Sequence, residues 1–151
     1  MTIDLLPTLA ALVGGELPKH KIDGKDIWPL MSGKRKAKSP HEVLFFYYQQ
    51  GELQALRSGR WKLQLPHEYR TLAGAPGMDG KPARYKQRQT GRELYDLAKD
   101  VSETKDVAHL HPDVVKRLEA MVEECREDLG DSLTKRQGRN VRAPGRLEVD
   151  K

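Results

Sequence analysis

The chain has 151 residues, enough for one ordinary domain with a modest hydrophobic core. Hydrophobic residues make up 37% and charged residues 32%, a balance typical of globular proteins. The net charge of +5 comes largely from residues 34–38 and from the segment after Lys135, and such runs usually form solvated loops. The longest apolar stretch, residues 5–14, is too short to cross a bilayer, which needs roughly 20 residues. We therefore expect no membrane span and no nucleic-acid partner.

Residues 4–13 predict the first helix, with Pro7 in its first turn and Gly14 after its end. The leucines and alanines of this segment leave almost no polar side, so the helix should need cover on most faces. Residues 18–38 read as a connector with turns at Asp23-Gly24 and Ser32-Gly33.

Residues 42–49 predict a strand that is apolar on both faces, which favours a central strand covered on two sides. Residues 53–57 and 61–65 predict an antiparallel hairpin around Gly59. Residues 66–92 read as a long excursion rich in glycine, proline and basic residues, too long for an ordinary hairpin loop. Residues 93–97 then predict a short returning strand.

The clearest element is a helix over residues 112–129, with Pro112 in its first turn and Gly130 after it. One stripe of this helix is apolar and the opposite face is charged. Cys125, the only cysteine, lies on that stripe and is expected to be a small buried residue. A single cysteine excludes an intrachain disulfide and a cysteine-based zinc site.

Catalytic motifs are not found in the sequence. There is no Gly-x-Ser-x-Gly elbow, no phosphate-binding glycine loop and no His-Glu-x-x-His pair. His109 and His111 stand two residues apart, but two ligands do not complete a metal site.

The order of several short motifs resembles the C-terminal portion of the sulfatase family, of the arylsulfatase type. Near the start of the chain, Asp4-Leu5-Leu6-Pro7-Thr8 and Ile22-Asp23-Gly24 are similar to that family's "Asp-x-x-Pro-Thr … Asp-Gly" segment. Downstream, Arg57-Ser58-Gly59-Arg60-Trp61-Lys62 resembles its "Arg-x-Gly-x-(Trp/Tyr)-Lys" hairpin. Glu93-Leu94-Tyr95-Asp96-Leu97, followed by Asp100 and Glu103, resembles a further signature, although Lys105-Asp106 stands where the family often has asparagine.

The resemblance implies a formylglycine-dependent sulfuric ester hydrolase in which calcium gathers the sulfate oxygens. It also implies that the nucleophile and calcium ligands lie upstream, so no catalytic or metal-binding residue is assigned here. Calcium and formylglycine are expected in the full-length enzyme, as are a sulfated small molecule or polysaccharide substrate and a periplasmic or secreted location. The missing N-terminal catalytic domain would be the main partner of this chain.

The expected fold is α+β. A small antiparallel sheet of about four strands is packed by a C-terminal amphipathic helix, and an N-terminal helix is left over from the upstream α/β domain. We expect residues 1–38 to end the catalytic domain, residues 39–130 to form the C-terminal subdomain and residues 131–151 to form a basic tail. The expected function is that of a C-terminal arylsulfatase fragment, which lacks the nucleophile and the calcium ligands and should be inactive alone.

Three residues near the start of the excursion, His67, Tyr69 and Arg70, are candidates to border the active-site mouth. Basic residues there would suit an anionic sulfate ester. Two alternatives remain open: a stand-alone polyanion-binding module derived from this subdomain, and another hydrolase of the alkaline-phosphatase-like superfamily.

Overall fold

The computed structural model describes residues 1–141, and the last ten residues of the expected basic tail lie outside that part. The chain divides into two compact units, Met1–Glu42 and a second unit that begins at Val43. Each unit is described by itself.

The first unit contains helix α1, Leu5–Val13, which follows a 3-10 turn at Thr2–Asp4, and the short helix α2, Trp28–Met31. Gly14 ends α1 with a φ of 66°, as predicted, and its amide donates to the Ala10 carbonyl. The large apolar side chains of α1 are exposed, from 46% at Leu12 to 79% at Val13. The predicted helix is present, and residues of this unit leave its large apolar side chains exposed.

Asp4 organises the first unit from a position that is only 1% exposed. Its carboxylate accepts hydrogen bonds from the N-terminal ammonium at 2.8 Å, the Lys25 amide at 2.9 Å and His41 Nε2 at 2.7 Å. Burial alone would raise the pKa of Asp4, but these hydrogen bonds lower it from 3.8 to about 2. Asp4 therefore fastens the connector to the start of α1.

Thr8 makes a second link of the same kind. Its hydroxyl donates to the Asp4 carbonyl at 2.6 Å and accepts from the Ile27 amide at 3.0 Å. Gly24 packs so closely on this helix start that a Cβ would lie 1.9 Å from the Ile3 carbonyl oxygen. The motif residues Asp4, Thr8 and Gly24 thus serve the packing of this unit.

The second unit contains a four-stranded antiparallel sheet, a two-stranded ribbon, helix α3 and a two-residue strand pair near its end. The strands are β1 (Leu44–Tyr48), β2 (Glu52–Ser58), β3 (Trp61–Gln64), β4 (His67–Leu72), β5 (Tyr85–Thr90), β6 (Glu93–Asp96), β7 (Gly130–Asp131) and β8 (Arg136–Gln137), and α3 is Pro112–Leu129. The sheet order is β1-β2-β3-β6, and the ribbon pairs β4 with β5. The predicted α+β fold, the hairpin at Gly59 and the C-terminal helix are confirmed.

The core of the second unit lies between α3 and one face of the sheet. Leu118 and Val122 of α3 are fully buried in one cluster with Leu53, Leu63 and Leu94 of the strands. Burying side chains of this size contributes about 1.5–3 kcal/mol each. Cys125 belongs to the same cluster and is 4% exposed, so its predicted burial is confirmed.

The prediction that residues 42–49 form a central strand is wrong, because β1 is an edge strand. Phe45 and Tyr47 pack against the core, while Phe46 and Tyr48 on the other face are 38% and 64% exposed. An apolar run indicates only that both faces carry apolar side chains, and it does not indicate whether the strand has neighbours on both sides or on one.

The interpretation of residues 66–92 as a long loop is also wrong over residues 67–72 and 85–90, which form strands β4 and β5. Six consecutive residue pairs join β4 to β5 in regular antiparallel register, from His67 opposite Thr90 to Leu72 opposite Tyr85. Both strands carry mostly polar side chains on each face, so they lack the apolar alternation that identifies a half-buried strand.

Within the described residues, no helix has the length and apolar character needed to span a membrane.

Candidate functional site

The two strongest family-like motifs meet on the sheet. The turn between β2 and β3 uses Gly59 with a φ of 58°, and β3 pairs along its whole length with β6. Lys62 Nζ lies 2.8 and 2.6 Å from the two carboxylate oxygens of Glu103, and Arg60 forms an ion pair with Asp96. This ion pair lowers the pKa of Asp96. The motif residues therefore hold the sheet together.

The turns that follow β6 are fixed by two carboxylates. Asp100 accepts from the amides of Thr104 at 2.8 Å and Lys105 at 2.9 Å, and the Lys105 amide is the main cause of the lowered pKa of Asp100. Asp106 Oδ1 accepts from the amides of Leu94 and Ala108, both at 2.9 Å. An asparagine carbonyl oxygen has the lone pairs to accept the same two bonds.

His67 is the most buried of the three candidate mouth residues, at 8% exposure. Its Nδ1–H donates to the Leu65 carbonyl oxygen at 2.7 Å, since a carbonyl only accepts. The imidazole thus anchors the base of the ribbon to the end of β3, with Nε2 as its remaining polar atom.

Tyr69 and Arg70 are exposed and lie on opposite faces of the ribbon, because they are adjacent in one strand. Tyr69 shares its face with His67, and their ring centroids are 6.2 Å apart. The guanidinium carbon of Arg70 lies 3.7 Å from the centroid of the Tyr85 ring on the other face. The structure therefore groups His67 with Tyr69 and separates Arg70 from them.

A cleft of about 390 Å³ opens beside the Arg70 face. The cleft is lined by Tyr48, Gln49 and Gln54 on the β1–β2 side and by Glu68, Tyr69, Arg70 and Gln87 on the ribbon. Amide and tyrosine side chains beside an arginine provide donors for a polar, oxygen-rich ligand.

The sequence interpretation missed a row of cations on the ribbon face that carries Tyr69. Arg88 is paired with Tyr69 and Lys86 with Thr71, so both cations share that face. A hydrogen bond from the Ala73 amide to the Arg84 carbonyl at 2.8 Å extends the pairing by one step and brings Arg84 into the same row. The alternation of basic and neutral residues from Arg84 to Arg88 was the available signal.

A calcium ion and a formylglycine are implied by the resemblance, but the described residues do not fit either group. Within residues 1–141, no three His, Cys, Asp or Glu side chains are grouped as metal ligands. The Cys125 thiol is buried, and burial raises its pKa, which opposes nucleophilic thiolate formation. The Tyr47 hydroxyl lies 3.3 Å from Cys125 Sγ, and burial likewise raises the pKa of Tyr47.

The histidine pair before α3 is divided by the fold. His111 packs against Trp61 with ring centroids 4.7 Å apart, whereas His109 lies in the 3-10 turn Ala108–Leu110. These two side chains therefore have separate surroundings.

Comparison with known proteins supports the resemblance seen in the motifs. The chain is 35% identical to human arylsulfatase A over 132 residues, which cover 80% of this chain and 25% of that protein. It is 36% identical to human arylsulfatase D over 143 residues, covering 84% of this chain and 24% of the relative. The chain thus spans about a quarter of the length of these relatives.

A solved structure described under the metabolism of multiple glycosaminoglycans by Bacteroides thetaiotaomicron aligns with this chain with a TM-score of 0.54 and 26% sequence identity. The alignment covers 82% of this chain and 24% of that one. The family model described as the C-terminal region of aryl-sulfatase matches residues 39–144. The chain therefore belongs to the sulfatase family, as the C-terminal region of an arylsulfatase-type protein.

Proposed function

We propose that this chain is the C-terminal part of an arylsulfatase, a sulfuric ester hydrolase, and that it does not hydrolyse sulfate esters alone. The observation that carries the proposal is a family match over residues 39–144 in a chain that spans a quarter of its relatives. No cysteine or serine of the sequence is followed by proline two residues later, as the family's "Cys/Ser-x-Pro-x-Arg" nucleophile motif requires.

The proposal includes a division of the chain. Residues 1–38 are the end of the catalytic domain, residues 39–130 form the C-terminal subdomain and residues 131–151 form a basic tail. The exposed apolar side chains of α1 support the first part, since an apolar helix face of this extent is usually covered by other protein.

The same proposal gives the ribbon a role at the active-site mouth of the longer enzyme. Tyr69 and Arg70 are exposed on the two-stranded ribbon, and His67 fixes the base of that element. An arginine and a tyrosine at the mouth would orient an anionic, ring-containing sulfate ester.

A hydrolysis assay tests the proposal on the 151-residue chain. The purified chain is incubated with 4-nitrophenyl sulfate and calcium, beside an active arylsulfatase as a positive control. We expect no release of 4-nitrophenol above the buffer rate. A calcium-dependent rate that is abolished by chelation would show that the chain is catalytically complete and would contradict the proposal.

The DNA in frame upstream of Met1 gives an independent test. We expect it to encode a "Cys/Ser-x-Pro-x-Arg" segment without an intervening stop codon. A stop codon and a ribosome-binding site directly before Met1 would instead identify a separately made protein, and the arylsulfatase assignment would then fail for this molecule.

A further inference from the structure

One face of the ribbon carries three cations in a row, whereas the other face carries a single cation, Arg70, together with Glu68. Side chains alternate between the two faces of a strand, and residues directly opposite in an antiparallel pair share a face. One face therefore holds Arg84, Lys86 and Arg88. Thr71 lies opposite Lys86 on this face, and Tyr69 lies opposite Arg88. The other face holds Tyr85, Gln87 and Gln89 on the same strand, opposite Leu72, Arg70 and Glu68.

The cationic face lacks acidic residues. Glu68, the only acid within β4 and β5, lies on the opposite face beside Gln89. Arg84, Lys86 and Arg88 are all exposed, and none of them is part of an ion pair among the described residues. Their positive charge is therefore presented to solvent without internal compensation.

The spacing of the row suits a linear ligand. Successive cations are two residues apart in an extended strand, which separates their Cα atoms by about 7 Å and the outer two by about 14 Å. A compact anion would contact one or two of them, whereas an extended chain with anionic groups along its length would contact all three. The ring of Tyr69, 36% exposed on the same face, offers a flat surface for a sugar ring.

We propose that this ribbon face binds an extended sulfated polysaccharide through Arg84, Lys86 and Arg88. The row of cations follows from the strand pairing of the ribbon alone. The choice of a sulfated glycan among linear polyanions rests on the proposed function. The two arginines form forked hydrogen bonds with oxyanions, and Lys86 between them acts as a point charge.

Heparin, a highly sulfated polysaccharide, is the probe for this site. Its affinity for the 151-residue chain is measured by titration calorimetry over a series of salt concentrations. The test variant is Arg84→Gln, Lys86→Gln and Arg88→Gln together. The matched control removes three charges elsewhere, by Lys34→Gln, Arg35→Gln and Lys38→Gln, at exposed positions of the first unit.

We expect the ribbon variant to lose at least about tenfold in affinity, with the slope of log K against log salt reduced by about 2 to 3, as for release of counterions from three contacts. The control variant should keep most of both. Equal losses in the two variants would show that net charge alone drives binding, and the proposal would be overturned. Failure of the unaltered chain to bind heparin at low salt would overturn it as well.

A second variant controls for the possibility that the triple substitution weakens binding by misfolding the ribbon. Thr71→Glu places a carboxylate directly opposite Lys86 and leaves all three cations in place, and it should weaken heparin binding severalfold. Unchanged binding by Thr71→Glu would count against the site.

Tighter binding of duplex DNA than of heparin at the same salt would assign the face to nucleic acid and reject the polysaccharide. Because no result here depends on hydrolysis, failure of this site is distinct from failure of the arylsulfatase assignment.

Discussion

The hydroxyl of Tyr47 donates a hydrogen bond to the main-chain carbonyl oxygen of Gly130 across 2.6 Å. Tyr47 lies in the edge strand β1, and Gly130 follows the last residue of α3, so this bond joins the first strand of the second unit to the end of its helix. It therefore closes the side of the core where Cys125 is buried.

Removal of this hydroxyl should weaken the second unit. We expect Tyr47→Phe to lower the free energy of unfolding by about 1 kcal/mol, because the Gly130 carbonyl loses its donor while the ring packing is kept. Urea unfolding followed by circular dichroism measures the change. Tyr48→Phe is the matched control, since Tyr48 is 64% exposed, and it should change the stability by less than about 0.5 kcal/mol. Equal effects of the two substitutions would contradict a specific role for the Tyr47 hydroxyl.

Asp106 should tolerate asparagine but not alanine. Its Oδ1 atom accepts both of the hydrogen bonds described above, and an asparagine carbonyl oxygen has the lone pairs to accept the same two. We expect Asp106→Asn to stay within about 0.5 kcal/mol of the unaltered chain, whereas Asp106→Ala should cost about 1–3 kcal/mol because two amides lose their partner. Thermal unfolding of the unaltered chain and the two variants measures these differences. Similar losses of stability for both substitutions would show that the negative charge contributes more than the acceptor oxygen.

Lys62 and Glu103 should be energetically coupled. Their side chains are 19% and 32% exposed, so solvent screens the pair only in part. A double-mutant cycle with Lys62→Ala and Glu103→Ala should give a coupling energy of about 0.5–1 kcal/mol that falls as salt is raised. Arg92 and Glu119, at 53% and 42% exposure, provide a control pair whose coupling should be smaller. A zero coupling for Lys62 and Glu103 at low salt would refute the pair's contribution.

Acid should loosen the first unit through Asp4. The pKa of Asp4 is lowered in the folded chain, so its ionised form stabilises folding fully above the ordinary value of 3.8, and this stabilisation is lost as the pH falls toward about 2. Hydrogen exchange of the Lys25 and Ile27 amides reports on it. At pH 5, Asp4→Asn should lower the free energy of opening at these amides by about 2 kcal/mol, since charge-assisted hydrogen bonds are lost.

The control for this experiment is Glu16→Gln, at an exposed position of the same unit, which should leave exchange of both amides unchanged. Near pH 2 the unaltered chain should approach the Asp4→Asn protein at equal pH. A constant difference between the two proteins from pH 5 to pH 2 would contradict titration of Asp4 as the cause.

The sequence predicted those secondary-structure elements that are specified by neighbouring residues in the chain. Helix α3 follows from one amphipathic stripe between Pro112 and Gly130, and the β2–β3 hairpin follows from Gly59 at its turn. Relationships between distant residues were not accessible in the same way. Nothing near Tyr47 in the sequence indicates a contact 83 residues away, and nothing in residues 44–48 indicates that their strand lies at an edge.

The ribbon shows the same limit at the candidate site. His67, Tyr69 and Arg70 could be chosen as candidates by their chemistry, but their division between two faces depends on strand pairing with residues 85–90. The row from Arg84 to Arg88 becomes visible only when those residues are known to be extended. Polar strands that pair only with each other leave no hydrophobic period in the sequence.

The long separation in sequence between strands β1 to β3 and helix α3 has a consequence for synthesis on the ribosome. Strands β1 to β3 are complete at Gln64, but Leu118 and Val122, which cover their apolar face, follow more than about 50 residues later. At roughly 5–20 residues per second, the nascent sheet waits several seconds with that face exposed. During this interval the uncharged segment 43–48 is available to chaperones or to neighbouring nascent chains, so translation speed across residues 65–112 should influence the yield of soluble protein.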